Sequence, residues 1–558
     1  MSGGEIYSVI FGGYAYSFSG VANASNNRVE ISGGKVTMTI YGGNASSATG
    51  VANASNNRVD ISGGEVVDEI YGGYAYSYSG AANASNNRVD ISGTPNLSAA
   101  NLYGGFKDAP SGDAFSGNVL NLNSSGLTAK NLSNFEFLNF NLPASARAGD
   151  VILTISGQAS LQNGAVPQFS TVAMAIHGAV APLQPGDWIV LIGAGSSLVG
   201  SPANNALTAA QGVTLTHDFR LDASGNQLVA TLAGTEPSAG TVALSEGFLA
   251  GLAFASSGAD LVAGQGTLDA ARAARESASP SMGLATFMTL SGGSSRYQTG
   301  SRVDARGLSL LAGLAWGRDI EPGRLTLGAF FEYGEGNFDT FNSFPNAPSL
   351  RGEGDARHIG GGLLASADIA QVGPGTLRAE ASVRAGRIRV NFRSPDLVDP
   401  WGLAAEYDSS SAYYGASLGL GFEWNLTDKT SLDFYGQYFW TRQGGDNVVL
   451  STGDPVTFED ADSSRLHLGT RLSRAFSERV SARVGAAYER ELAGAARASV
   501  HGHSFRAPSL KGGTGVGELG LAIAPAAGLP LLTLDLSLQG YAGEREGWSG
   551  NMAVKLEF

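Results

Sequence analysis

The chain has 558 residues, enough for two or three domains, and a formal net charge of −14. That acidity excludes the electrostatic footprint of a nucleic-acid binder, and the absence of cysteine excludes thiol catalysis, cysteine-based zinc sites and disulfide staples. With 79 glycines, 43% hydrophobic residues and only 15% charged ones, the composition suits neither a helical protein nor a disordered one, but sheets joined by tight turns.

The first elements repeat. Val-Ala-Asn-Ala-Ser-Asn-Asn-Arg-Val begins at Val21 and again at Val51, with a near copy from Ala81. Ile31-Ser32-Gly33-Gly34 returns at Ile61 and, shortened, at Ile91; Tyr-Gly-Gly returns at Tyr41, Tyr71 and Tyr103. Each thirty-residue unit holds short alternating segments such as Asn27-Arg28-Val29-Glu30-Ile31, with glycine pairs at the corners. One unit cannot bury a core alone, so neighbours stack, and residues 1–130 read as a parallel β-solenoid with Asn and Tyr ladders. The register sets Met1 where Ile31, Ile61 and Ile91 stand, and the first residues lack a secretory signal. Further repeats, a cap and an export signal are therefore expected upstream, or else a decayed gene.

From Asn118 to Leu232 the repeat fades, and residues 131–242 read as less regular β structure with Trp188 in a cap core. Residues 243–279 differ: rich in Ala and Leu, free of proline until Pro280, they predict one helix. At about 1.5 Å per residue it runs roughly 50 Å. The chain has no run of 18 apolar residues, so no membrane-spanning helix is expected. Glu246, Asp260, Asp269, Arg272, Arg275 and Glu276 make this helix too polar to face lipid, and it is expected inside a barrel.

Residues 280–558 alternate strictly. Trp548, Gly550, Met552, Val554, Leu556 and Phe558 share one face; Ser549, Asn551, Lys555 and Glu557 share the other. Leu466, Leu468 and Leu472 oppose Arg465, His467 and Arg471 in the same way. Runs of about ten residues suit tilted bilayer-crossing strands. Twelve begin near Leu284, Val303, Arg324, His358, Thr376, Tyr413, Ser431, Ser464, Arg479, Gly515, Leu531 and Gly547. Aromatics near their ends (Trp316, Tyr333, Trp424, Trp440, Tyr488, Tyr541, Trp548) fit interfacial girdles. The expected fold is all-β: an N-terminal parallel solenoid, one linker helix, and a 12-stranded antiparallel transmembrane barrel.

Several segments resemble a known family. Phe476-Ser477-Glu478-Arg479-Val480, Gly485-Ala486-Ala487-Tyr488-Glu489-Arg490-Glu491, Ala507-Pro508-Ser509-Leu510-Lys511-Gly512-Gly513-Thr514-Gly515 and Gly540-Tyr541-Ala542-Gly543-Glu544-Arg545-Glu546-Gly547 are similar to recurring blocks of classical (type V secretion) autotransporters. Phe254-Ala255-Ser256-Ser257-Gly258-Ala259-Asp260-Leu261 resembles their pre-barrel helix. The resemblance covers residues 241–558. It implies a bacterial outer-membrane barrel that exports its own solenoid as a passenger at the cell surface or released. It also implies outer-membrane lipid and the barrel-assembly machinery as partners, with Phe558 as the assembly signal and residues 139–243 as a passenger folding nucleus.

No enzyme, cofactor or metal site is expected. Gly415-Ala416-Ser417-Leu418-Gly419 fits a nucleophile elbow but lies mid-strand, with Ser417 toward the lumen. His501 and His503 read as a solvated loop, and Asn23-Ala24-Ser25 with its copies as a coincidental sequon. Arg378, Glu380, Arg384, Arg471, Arg483, Glu489 and Glu518 are expected to face the lumen and contact the helix through Asp260, Asp269, Arg272 and Arg275. Self-cleaving relatives use carboxylates with an Asn, and no Asn follows Asn226 before the first barrel strands. For the passenger, the expected ligand is a host or sugar surface; the alternative is a secreted β-helix enzyme acting on polysaccharide.

Overall fold

The computed structural model describes all residues except 164–167, 182, 277–283, 322, 346, 524–531 and 557–558. The chain divides into two compact units, Met1–Ser238 and Ala239–Phe558.

In the first unit, strands Arg28–Ile31, Arg58–Ile61 and Arg88–Ile91 pair in parallel with equivalent residues facing one another. Ile40–Ser47, Glu69–Ser77 and Leu97–Asp108 stack likewise. Alternation sends Val29, Ile31, Val59, Ile61, Val89 and Ile91 into one continuous apolar column. A second column is made of alanines, Ala24, Ala54 and Ala84 among them.

Amides tie the coils together. Asn27 donates from its backbone N and from Nδ2 to Asn57 Oδ1 at 3.0 and 2.9 Å; Asn57 does the same to Asn87 at 3.0 and 3.1 Å. Asn26, Asn56 and Asn86 turn the chain at φ of 63°, 59° and 57°, a left-handed conformation that Asn tolerates. The glycine pairs are enforced by close approach: a Cβ on Gly43 would stand 2.1 Å from the Ala24 carbonyl oxygen. Beside them Phe11, Tyr41, Tyr71 and Tyr103 stack with centroids 5.3, 5.2 and 4.8 Å apart.

The parallel stack outlasts the sequence repeat. Val119 faces Arg88, Phe137 faces Val119, and Thr171 faces Phe137, so coil length varies while pairing continues. Antiparallel strands Ala206–Gln211, Leu215–Ser224 and Gln227–Pro237 then close the stack. Trp188, expected in the cap core, is 54% exposed. It opens strand Trp188–Ala194 on the outer face, while Ile189, Leu191 and Ile192 fill the core.

The second unit holds twelve barrel strands: β1 Leu284–Gln298, β2 Arg302–Ile320, β3 Gly323–Asn342, β4 Leu350–Val372, β5 Gly375–Val398, β6 Ala404–Thr427, β7 Thr430–Gln443, β8 Ala461–Ala475, β9 Val480–Glu491, β10 Gly512–Ile523, β11 Leu532–Gly543 and β12 Arg545–Leu556. Each pairs antiparallel with the next, and β1 with β12 closes the ring, Leu290 opposite Met552. Leu418, Leu468, Val484 and Leu538 point outward, 64%, 52%, 49% and 50% exposed. Tight turns such as 373–374 and 428–429 lie at one end; longer loops, 399–403, 444–460 and 492–511, lie at the other. In outer-membrane barrels the long loops are extracellular.

The expected starts at His358 and Tyr413 lie well inside β4 and β6. Only the lipid-facing part alternates apolar with polar; toward the long loops the outward residues are polar too (Glu353, Asp355, Glu406, Asp408), so the pattern hides the strand. The expected start at Leu531 lies outside the described residues. Tyr541, expected in a girdle, points into the lumen, with the Arg545 guanidinium 3.8 Å from its ring centroid.

Two outcomes follow for the solenoid. Asn57→Ala removes three side-chain bonds, two accepted from Asn27 and one donated to Asn87, and strands buried polar groups; it should lower stability by about 2–4 kcal/mol, read as a lower urea midpoint of the isolated 1–238 segment. At Asp60, desolvation favours the neutral acid but hydrogen bonds from Arg58 and Arg28 outweigh it and hold the carboxyl below its ordinary range. A depressed carboxylate contributes its stability above its unfolded pKa and loses it as pH falls through the folded one. The midpoint should therefore fall on acidification from pH 6 toward pH 3, and by less in Asp60→Asn.

Candidate functional site: a helix held inside the barrel

Residues 239–276 are small and slim in sequence and run through the lumen: a turn at Ala239–Thr241, α1 Val242–Leu261, a π turn Val262–Gly266, and α2 Thr267–Glu276. By length and composition Ala239–Arg275 could cross a membrane, against the absence of such a helix expected from apolar runs alone; 83% of its most apolar window is buried. Glycines admit the wall. A Cβ on Gly247 would lie 2.5 Å from the Phe392 ring, and one on Gly251 2.7 Å from Val390. The single continuous helix expected from sequence is interrupted by the π turn at Val-Ala-Gly-Gln-Gly, where Thr267 Oγ1 donates to the Val262 carbonyl at 2.8 Å.

The N-terminal end of α1 lies at the long-loop end of the barrel. Phe248 stacks on Phe458, centroids 4.6 Å apart, and Phe458 belongs to the 444–460 loop. Tyr407 Oη donates to the Leu244 carbonyl at 2.8 Å, and Thr299 Oγ1 to the buried carboxylate of Glu246 at 2.8 Å.

Charged residues grip the helix at successive levels. Arg384 donates to the Ala255 carbonyl and pairs with Glu332 at 3.0 Å, with both side chains almost fully buried. Asp260 of α1 receives Arg465 at 2.7 Å and Arg545 at 3.1 Å, and Arg465 also meets Glu489 at 3.2 Å. Arg483 donates to Gln265 in the π turn at 2.8 Å while pairing with Glu518 and Asp535, each at 2.9 Å. On α2, Asp269 accepts from Thr289 at 2.9 Å, Arg272 meets Asp535 at 2.9 Å, and Arg275 meets Asp368 at 3.3 Å.

Of the seven expected lumen charges, Arg384 and Arg483 thus bond the helix directly. Glu489 and Glu518 hold the arginines that do so, and Arg471 pairs with Glu518 at 2.9 Å. Arg378 and Glu380 pair with each other at 3.0 Å and line a polar cavity of about 60 Å³ beside Gly264. A second cavity of about 80 Å³ flanks Asp260 on the other side. Both are polar enough and large enough to hold ordered water. Arg465, Arg545, Glu332 and Asp535 were absent from the expected set, although the alternation of β8 and β11 already put Arg465 and Asp535 on the inner face. Phe558 lies outside the described residues.

Arg384→Ala leaves Glu332 buried without its cation and should cost about 3–5 kcal/mol, measured as a lower temperature at which the folded, fast-migrating species is lost on gels. The double variant Arg384→Met with Glu332→Gln should recover most of that loss. Removing residues 243–276 should raise single-channel conductance of the reconstituted barrel several-fold, because the lumen of a twelve-stranded barrel is otherwise open. Equal conductance with and without them would place the current outside the lumen.

Residues 286–531 match the Autotransporter beta-domain family. Among solved structures, the barrel is similar to the β-domain of the Bordetella autotransporter BrkA, 17% identical over 49% of this chain and 99% of that one, TM-score 0.37. It is also similar to the translocator domain of NalP from Neisseria meningitidis, 16% identical over 57% and 100%, TM-score 0.39. A third is the transport unit of AIDA-I from Escherichia coli, 15% identical over 53% and 98%, TM-score 0.37. No curated protein matches the chain. The family match falls on a closed twelve-stranded barrel with the preceding helix in its lumen: the barrel of this chain is an autotransporter β-domain of the bacterial outer membrane, and the β-solenoid before it is a surface-exposed passenger.

Proposed function

We propose that the barrel exports and then displays the chain's own solenoid as an adhesin-like surface structure, driven by passenger folding rather than by nucleotide hydrolysis. The observation that carries the export reading is the helix in the lumen, its N-terminal end among the long extracellular loops and its C-terminal end leading to β1. In this reading residues 131–242 act as the folding nucleus: the antiparallel strands of 206–237 offer an end on which parallel coils add one at a time. The barrel-assembly machinery reads the terminal Phe558.

The adhesin reading is supported by the side chains the solenoid leaves outside. Tyr16, Phe18 and Tyr78 are 61%, 71% and 75% exposed, whereas the stacked Tyr71 is 5% exposed. Phe18 and Tyr78 occupy one repeat position, and aromatic faces on a rigid stack suit sugar rings of a host surface. The polysaccharide-enzyme reading has no comparable observation in its favour.

External protease added to intact cells should remove residues 1–238 and spare the folded barrel; full protection of the repeats would sink the display reading. In the purified passenger, Tyr16→Ala, Phe18→Ala and Tyr78→Ala together should weaken binding to host-cell or glycan surfaces at least about tenfold, with the urea midpoint unchanged. Unaltered binding would move the ligand off this face.

A further inference from the structure

On the outer wall, β4 and β5 carry three guanidiniums where the lipid belt ends. Arg357 stands directly opposite Arg389 in the ladder, and Arg387 lies one rung lower, opposite Ile359. All three side chains are exposed and share the outward face. Beside and below Arg387 the outward residues are apolar: Ile359, Leu363 and Val383 are 45%, 60% and 55% exposed. Tyr414, 50% exposed, lies on the neighbouring β6 opposite Ala385, one rung below Arg387, at the level of an interfacial aromatic. These arginines therefore begin the headgroup layer on the long-loop side.

Like charges placed directly opposite in a ladder destabilise it. Among the described residues no ion pair relieves Arg387 or Arg389, and Arg357 only lies over the Tyr333 ring at 5.5 Å. Glu335 faces Arg357 in the register and accepts the Tyr333 hydroxyl, but makes no ion pair with Arg357. Asp355, one rung further out, accepts from Asn391 at 3.2 Å. Other arginines of the same wall are neutralised: Arg351 by Asp396 at 2.8 Å and Arg393 by Glu406 at 3.0 Å. Beneath the trio lies an apolar groove of about 590 Å³, bounded by Ala365, Ala379, Ala381, Leu418 and Leu420. At about 3.4 Å per residue along strands tilted about 45°, Ala381 sits roughly 14 Å below Arg387, the depth of one leaflet's acyl chains.

We propose that Arg357, Arg387 and Arg389 form a binding site for the phosphomonoester headgroup of an outer-leaflet lipid whose chains run down the β4–β6 groove. A phosphomonoester brings up to two negative charges and three acceptor oxygens, and guanidinium forks match them in bidentate pairs. Bound there, it supplies the ion-pair partner that Arg357 and Arg389 lack among the described residues.

The test uses the full chain purified in dodecyl maltoside and native mass spectrometry with added diphosphoryl lipid A. The wild-type chain should retain one molecule, and enzymatically dephosphorylated lipid A should not be retained. The triple variant R357Q/R387Q/R389Q should retain at least about tenfold less, while keeping the fast-migrating folded band on unboiled gels. Inorganic phosphate at millimolar concentration should leave the lipid in place. Equal retention by the variant, retention of the dephosphorylated lipid, or full displacement by inorganic phosphate would each overturn the assignment.

Discussion

In hydrocarbon a backbone N–H or C=O has no water to turn to, and each unpaired group costs several kcal/mol. The second unit of this chain is organised by that constraint. It forces the ring to close, which the β1–β12 ladder does, and it forces outward side chains to be apolar wherever strands meet lipid. Inward side chains are then free to be polar, and the lumen becomes the one place at membrane depth where charges can be held. The helix exploits this. A segment with Glu246, Asp260, Asp269, Arg272 and Arg275 would be expelled from lipid, but within the barrel each of these five finds a partner.

Buried ion pairs seldom add net stability, because desolvating both partners offsets most of their attraction. Their effect here is on position. Asp260 between Arg465 and Arg545, Gln265 against Arg483, and Arg272 against Asp535 are bonds that slide out of register if the helix moves by a turn. Apolar packing of Phe248 on Phe458 fixes the same helix at its extracellular end, where the lumen gives way to loop. Grip is thus graded along the axis, aromatic at the top and ionic below.

Much of this was legible in the residues. Thirty-residue spacing of Val-Ala-Asn and Tyr-Gly-Gly requires identical coils in register, and the Asn27–Asn57–Asn87 ladder is that register made of hydrogen bonds. Alternation at Leu466, Leu468 and Leu472 found β8 because one face meets lipid. The same logic fails where both faces meet water, which is why β4 and β6 extend past their expected starts. It fails again at Trp188, since bulk and hydrophobicity do not say which side of a strand a residue takes. Tyr541 was misplaced because an aromatic near a strand end is equally at home in a girdle or under a lumen arginine. Partners such as Asp260 with Arg465 lie hundreds of residues apart, and spacing carries no information about them.

The π turn at Val262–Gly266 has a consequence for the helix as a whole. A five-residue turn accommodates one residue more than a regular one, so the chain beyond it is rotated by about 100° relative to an unbroken helix. Asp260 above the turn and Arg272 below it therefore belong to two independent phases of one rod, each set against its own stretch of wall. A deletion of one residue at 262–266 can be absorbed by tightening that turn to the regular kind, with both phases kept. The same deletion elsewhere would swing either Asp260 from its arginines or Arg272 from Asp535. The looseness at Gly264 is what lets a length of helix be fitted to a barrel whose rungs do not share its pitch.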